Sequence, residues 1–320
     1  MPLMVVCDVG HSFLAEPWER GEPTDIVGPC CVCAAAARLQ EHGGPGTPLP
    51  GTSLLDYEIL GQLHGGVNAG TYRARRRPSG RLVALKFGTS RSDGDRGRIR
   101  REAEMLSGLD HPNIVSLLES GEAAHFAFFS MEWLPGGNLA DRLYRGPLRP
   151  REAVCMAAKL AEAAHHAHEC RVIHRDIRPS NIVFDGQGEP VLVDFGIAKR
   201  LNRRFGTTRN GAMVRDPRYS APEQWFDGAE RVGPVVDIHG IGAILYHALT
   251  GRLPFTDTCL QERLRVASTL IPPPTAIRPS LPIAVDRICL GCLSREPEDR
   301  YASGVELADE LRGTCGFGRE

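Results

Sequence analysis

From Tyr57 onward the chain carries short apolar or alternating runs, "YEILGQL", "GTYRARRR", "RLVALKFG" and "HFAFFSMEW", separated by Gly, Pro and Ser. Runs of this length and spacing predict twisted antiparallel strands. One stretch breaks the pattern. Between Arg96 and Leu109, the residues Ile99, Ala103, Leu106 and Leu109 recur at helical spacing, and "DHPN" is expected to stop that helix. After Gly136 the period becomes helical, in "REAVCMAAKLAEAAHHAHEC", "VVDIHGIGAILYHALTG", "LPIAVDRICLGCLS" and "YASGVELADELRG". Order alone predicts an α+β chain of two lobes: a small antiparallel β-sheet lobe with one key helix, then a larger α-helical lobe.

Composition refines this picture. With 320 residues, 42% of them hydrophobic, the chain can bury one large core or two lobes, with room for an appendage. Three segments are expected: a Cys/His-rich module over 1–35, a Gly/Pro/Ala-rich linker over 36–54, and the patterned domain over 55–313. A net charge of -1 supplies no global field for a polyanion, so neither nucleic acid nor membrane is an expected partner. No run approaches the ~20 apolar residues that cross a bilayer. The N-terminal "MPLMVVCDVGHSF" lacks a basic start and a long apolar core. Of the ten cysteines, Cys7, Cys30, Cys31 and Cys33 crowd the beginning and the others are scattered through helical text, which is not a disulfide framework. A reducing cytoplasm is the expected compartment.

The candidate chemistry is an ordered series: "VALK" at Val83 to Lys86, Glu102 on the helix, "HRDIRPSN" at His174 to Asn181, "DFG" at Asp194 to Gly196, and "APE" at Ala221 to Glu223. Each fragment alone is compatible with a surface pair or a turn. In this order and at these spacings they resemble the protein kinase family, over about Tyr57 to Gly313. The resemblance implies ATP and Mg²⁺ (or Mn²⁺) as cofactors and protein Ser/Thr hydroxyls as substrate.

By the same resemblance, Lys86 meets the α and β phosphates and Glu102 holds its ammonium in register. Asp176 accepts the hydroxyl proton, while Asn181 and Asp194 supply hard oxygen ligands to the metal. Arg178 stands beside them as a further catalytic cation. The nucleotide site is expected to include His64, Gly65, Gly66 and Thr71 over the phosphates. Ala84 and Val183 sandwich the adenine, Met131 acts as gatekeeper, the backbone of Glu132 to Leu134 reads the adenine edge, and Asn138 meets the ribose. Asp237 resembles a buried carboxylate that accepts backbone N–H groups of the catalytic loop, and Glu223 with Arg300 a buried structural pair.

Several positions depart from the family pattern. Aligning "LHGGVNAGTY" on the phosphate-covering loop keeps one of its three glycines, Gly66, and puts His64 and Ala69 at the others. Arg178 and Asp216 replace a Lys and a Thr, and their opposite charges predict a salt bridge beside Asp176. Arg200, Arg203, Arg204, Arg209, Arg215 and Arg218 surround Thr207 and Thr208, so autophosphorylation is expected at Thr208 first and Thr207 second, with a dimer serving transfer between chains. A flexible basic loop without a regulatory role is the alternative.

Cys7, His11, Cys30 and Cys33 form C-x3-H and C-x2-C clusters, ligand types and spacings acceptable for structural Zn²⁺ and similar to a degenerate zinc ribbon. A disordered Cys-rich tail is the alternative. His165, His166, His168 and Cys170 form a second apparent cluster, read as helix packing residues rather than ligands. For the whole chain the expected function is an autophosphorylating bacterial-type Ser/Thr kinase. The alternative is a pseudokinase that docks partners with little or no transfer.

Overall fold

Along the strand Leu82–Thr89, Val83, Leu85 and Phe87 are buried on one face while Ala84 and Lys86 occupy the other, as a period of two requires. The computed structural model describes residues 3–6, 12–15, 53–66, 69–89, 93–123, 126–195, 218–226, 232–255 and 271–314. Its strands are β1 (Leu3–Val6), β2 (Ser12–Ala15), β3 (Ser53–Leu54), β4 (Tyr57–Gly66), β5 (Ala69–Arg76), β6 (Leu82–Thr89), β7 (Leu117–Ala123), β8 (Phe126–Glu132), β9 (Ile182–Phe184) and β10 (Pro190–Leu192). Its helices are α1 (Asp93–Leu106), α2 (Leu139–Tyr144), α3 (Pro150–Glu169), α4 (Glu223–Phe226), α5 (Val235–Thr250), α6 (Pro274–Ile277), α7 (Ala284–Cys292) and α8 (Gly304–Thr314).

Two compact units result, one of Met1–Glu104 with Leu117–Trp133, the other of Met105–Ser116 with Leu134–Glu320. The first unit is built on a six-stranded antiparallel sheet in the order β3-β4-β5-β6-β8-β7. Tyr57, Ile59, Tyr72, Ala74, Val83, Leu85, Phe87 and Phe128 form its core. Tyr72 stacks on Phe87 at 4.8 Å between ring centroids. Each large side chain so buried contributes about 1.5–3 kcal/mol.

Strand β7 escapes the hydrophobic pattern because it is an edge: Leu118, Ser120 and Glu122 are exposed, and Glu119 accepts a hydrogen bond from Tyr57 Oη at 2.8 Å and meets Arg76 at 3.0 Å. Its register is that of the antiparallel ladder with β8, which pairs Glu119 with Ser130 and Ser120 with Phe129. Helix α1 ends three residues before the expected Leu109. Ser107 and Gly108 turn the chain, with Gly108 N–H donating to Met105 O at 3.2 Å, although Leu109 is still buried.

The second unit is helical, as its sequence period predicts. Alanines at 153, 157, 158, 161, 163, 164 and 167 let α3 approach its neighbours closely. A Cβ on Gly304 would lie 2.2 Å from Ala161 O, so α8 could not start where it does with any larger residue. Cys289 and Cys292 are fully buried thiols on α7, and burial pushes both far above the usual thiol range.

Arg300 is fixed by two parallel bonds to Glu223, at 2.6 and 2.9 Å, and also donates to Ser294 O and Arg295 O. With both side chains nearly inaccessible, removing one partner strands the other charge. Glu223→Ala is expected to cost about 3–5 kcal/mol, measured as a lowered urea midpoint. An unchanged midpoint would show that the pair does not hold this segment.

Candidate active site

The loop between α3 and β9 carries the candidate base, and its shape is imposed by Asp237 near the start of α5. One carboxylate oxygen accepts from His174 N–H at 2.9 Å and from His168 Nε2–H at 2.8 Å; the other accepts from Arg175 N–H at 2.7 Å. Burial alone would raise the Asp237 pKa, but the His168 bond, the nearby imidazoles and the Arg175 amide hold it below the usual carboxylate value. Arg175 is thereby kept at φ +65°, in the left-handed region that non-glycine residues rarely occupy.

His174 is the next link. Its Nδ1 accepts from Asp176 N–H at 3.3 Å, which assigns the proton to Nε2, and Nε2–H donates to Val193 O at 3.0 Å. Its ring lies 4.6 Å from that of the fully buried Phe195. Val193 N–H donates to Asn181 O at 3.0 Å. Asp194 therefore sits between two anchored neighbours, and it too is strained, at φ +59°.

Asp176 is buried, and Asn181 Nδ2 donates both to its backbone carbonyl at 2.9 Å and to its Oδ2 at 3.2 Å. Asn181 keeps its own Oδ1 as an oxygen acceptor beside that carboxylate, contacted by Ser180 Oγ at 3.3 Å. A crevice next to Asp176 is walled by Tyr219, Ser220 and Gln224. Gln224 joins this wall to the loop, donating to Arg175 O at 2.8 Å and accepting from Ala221 N–H at 3.0 Å. Tyr219 Oη pairs with His247 Nδ1 at 2.8 Å.

In the first unit, Lys86 Nζ lies 2.5 Å from Glu102 Oε1, with Glu102 only 3% exposed. Strand β6 aims Lys86 to the same face as Ala84. The register places Thr71 and Phe129 beside Lys86, and Met131 beside Ala84. The loop strands pair His64 with Thr71, Gly65 with Gly70, and Gly66 with Ala69, after two irregularities in β4. Gly70 is required there, since a Cβ would fall 2.7 Å from the Tyr72 ring.

The sequence profile of the protein kinase domain matches residues 57–310. The chain belongs to this family. Similar proteins include the serine/threonine-protein kinase PrkC of Bacillus subtilis, 33% identical over 261 residues, 80% of this chain and 40% of PrkC. RqkA of Deinococcus radiodurans, a DNA damage-responsive serine/threonine-protein kinase, is 35% identical over 273 residues, 82% of this chain and 40% of RqkA. PknL of Mycobacterium tuberculosis, a serine/threonine-protein kinase, is 30% identical over 267 residues, 81% of this chain and 66% of PknL. The chain spans about two fifths of the length of PrkC and RqkA.

Within this kinase domain the remaining expected residues fall out as follows. Met131 is buried, Glu132 exposed and Leu134 buried; Val183 is half-buried and bridges to Asn138. Asn138 has a structural task that its sequence position did not signal: its Oδ1 caps α2 by accepting from Asp141 N–H at 2.9 Å, leaving the amide N–H groups for any ribose contact. Arg178 forms no ion pair among the described residues, and Asp216, its expected partner, lies outside them. Gly196, Thr207, Thr208, Cys7, His11, Cys30 and Cys33 also lie outside the described residues.

The histidine run does not converge. His166 Nε2 accepts from Asp110 N–H at 3.3 Å, His165 faces Glu169 at 3.8 Å and His168 serves Asp237. Among the described residues no group of three or more His, Cys, Asp or Glu side chains is arranged to hold a metal. The role of His168 had no sequence signal, because a helical His facing a carboxylate sixty-nine positions away is invisible in one dimension.

Because folding lowers the Asp237 pKa, its charged form stabilises the fold above about pH 3.8, and this stability is lost as pH falls through the depressed folded value. Denaturant titrations of wild type and Asp237→Asn between pH 7 and pH 3 test this. The stability difference should be largest near neutrality and shrink in acid; a pH-independent difference would contradict it.

Proposed function

We propose that this chain is an ATP-dependent, bacterial-type protein Ser/Thr kinase. The observation that carries the reading is the strained, multiply anchored loop that presents the Asp176 carboxylate beside Asn181, with Asp194 held at its own positive φ. Phosphoryl transfer leaves the protein little covalent work, so positioning and charge stabilisation are what its residues supply. Asp176 orients a Ser or Thr hydroxyl and accepts its proton as the oxygen bonds to the γ-phosphorus of ATP, while the bond from that phosphorus to the bridging oxygen breaks and ADP leaves with the electron pair. Asn181 and Asp194 fit Mg²⁺ or Mn²⁺, being hard oxygen donors, and would hold it in the second unit. When bound, the metal neutralises charge on the phosphate oxygens. Lys86, kept in register by Glu102, supplies a fixed positive charge for the phosphates from the first unit. The Arg178 guanidinium adds a planar donor able to meet phosphoryl oxygens.

Activation is read as autophosphorylation at Thr208 and then Thr207, between chains of a dimer, in the cytoplasm. Support comes from the Arg-rich text around both threonines and from Arg175 preceding the candidate base. No helix of the described residues is long and apolar enough to cross a membrane.

Intact-mass spectrometry after incubation with Mg²⁺ and ATP tests the activity. Wild type should gain phosphate masses that map to Thr208, and Asp176→Asn should lose at least about 10²-fold in rate. Asp216→Thr, in the same time course, should change the rate if Arg178 and Asp216 are coupled. No mass gain on the protein or on a basic protein substrate would favour the pseudokinase reading.

The first 35 residues are proposed as a zinc-ribbon-like module with Cys7, His11, Cys30 and Cys33 as ligands, supported by ligand type and spacing. Elemental analysis of the purified chain should find one Zn²⁺ per chain, lost in Cys30→Ser. Metal-free wild type would remove this proposal.

A further inference from the structure

Residues 145–149, which join α2 to α3, are clamped from the protein side. Leu148 N–H donates to Ala248 O at 2.8 Å, and Arg278 Nη1 donates to Leu148 O and Leu249 O, both at 3.1 Å. Gly251 packs against Pro147, where a Cβ would stand 3.4 Å from the ring, and this brings Arg252 next to the loop. The connection is thus a fixed platform.

What it turns outward is unusual. Tyr144 is 94% exposed, and Arg145, Arg149, Arg151 and Arg252 are all exposed. None of these four arginines forms an ion pair among the described residues; Glu152 faces Arg142 instead, at 3.7 Å. Arg145 and Arg252 follow the C-termini of α2 and α5, where a cation complements the helix dipole. Arg149 and Arg151 have the opposite placement. They occupy the N-cap and first turn of α3, the positive end, and Arg149 makes no capping bond. Two cations that weaken their own helix, beside an aromatic ring left in water, break local rules without an internal gain, which points to an external partner. Arg and Tyr are also the side chains that dominate binding hot spots.

We infer that Tyr144, Arg145, Arg149, Arg151 and Arg252 form a docking surface for an acidic segment of the protein substrate, with Asp and Glu side chains around one apolar anchor. This inference rests on the kinase reading and extends it to substrate choice: the acceptor is recognised here through charge complementarity, by residues other than those around Asp176. A peptide fits better than an anionic membrane, because the patch offers one ring at the end of a six-residue helix and not the broad apolar helix face that lies in a bilayer interface.

The test uses the full chain and a fluorescein-labelled peptide of sequence EEDEFEDEE, followed by anisotropy. Binding should saturate and weaken with added salt. R145E/R149E/R151E should weaken it about tenfold or more, and Tyr144→Ala about threefold. Autophosphorylation by intact mass should be the same in both variants as in wild type, which separates loss of docking from loss of folding. Absence of peptide binding, or equal binding by the triple variant, overturns the inference. So does binding only to phosphatidylglycerol vesicles, which would assign the patch to a membrane. Peptide binding that depends on these arginines in a chain without autophosphorylation would keep the docking surface and remove the kinase reading.

Discussion

Asp237 is a charged group with 1% exposure in the middle of the helical unit, a position that costs several kcal/mol unless donors meet both oxygens. Three donors do: the amides of His174 and Arg175 and the ring of His168. Those bonds hold Arg175 in the left-handed region, and the chain direction they impose aims Asp176 and returns His174 toward Val193. From there the order passes through His174 to the segment carrying Asp194, whose strained backbone is held on both sides. A chain of individually ordinary contacts fixes Asp176 and the segment carrying Asp194, and its common origin is one buried carboxylate.

The same logic explains how the walls of the loop are kept. Gln224 connects Ala221 to Arg175, and the Glu223–Arg300 pair anchors the neighbouring turn to the chain ahead of α8. A buried ion pair of this kind is weak as a source of net stability but unforgiving when broken. It specifies where the segment must sit. Small residues do the corresponding work in packing: the alanines of α3 and Gly304 let helices approach, and Gly70 leaves room for the Tyr72 ring in the sheet.

Much of the site could be read in one dimension because its residues are local in sequence. "HRDIRPSN" and "DFG" compress base, amide and carboxylate into short strings, and the alternation of "RLVALKFG" puts Lys86 on the face opposite Val83, Leu85 and Phe87. Other features have no such signature. Strand β7 carries Glu and Ser because it is an edge, where Glu119 meets Tyr57 and Arg76. Asn138 was legible as a polar residue after the last strand of the sheet, but its use as a helix cap depends on where α2 starts.

The sequence by itself determined the two-part α+β order, the family and the identity of the candidate reacting groups, since these follow from periodicity and from motifs whose members are close along the chain. The tertiary structure alone decided what each group is held by. It paired His168 with Asp237, dispersed the histidine run among unrelated partners, and set Tyr219 against His247. It also gathered Arg252 beside the α2–α3 connection to build a basic surface. These contacts join residues far apart in sequence through packing and directional hydrogen bonds, and neither composition nor period encodes such distances.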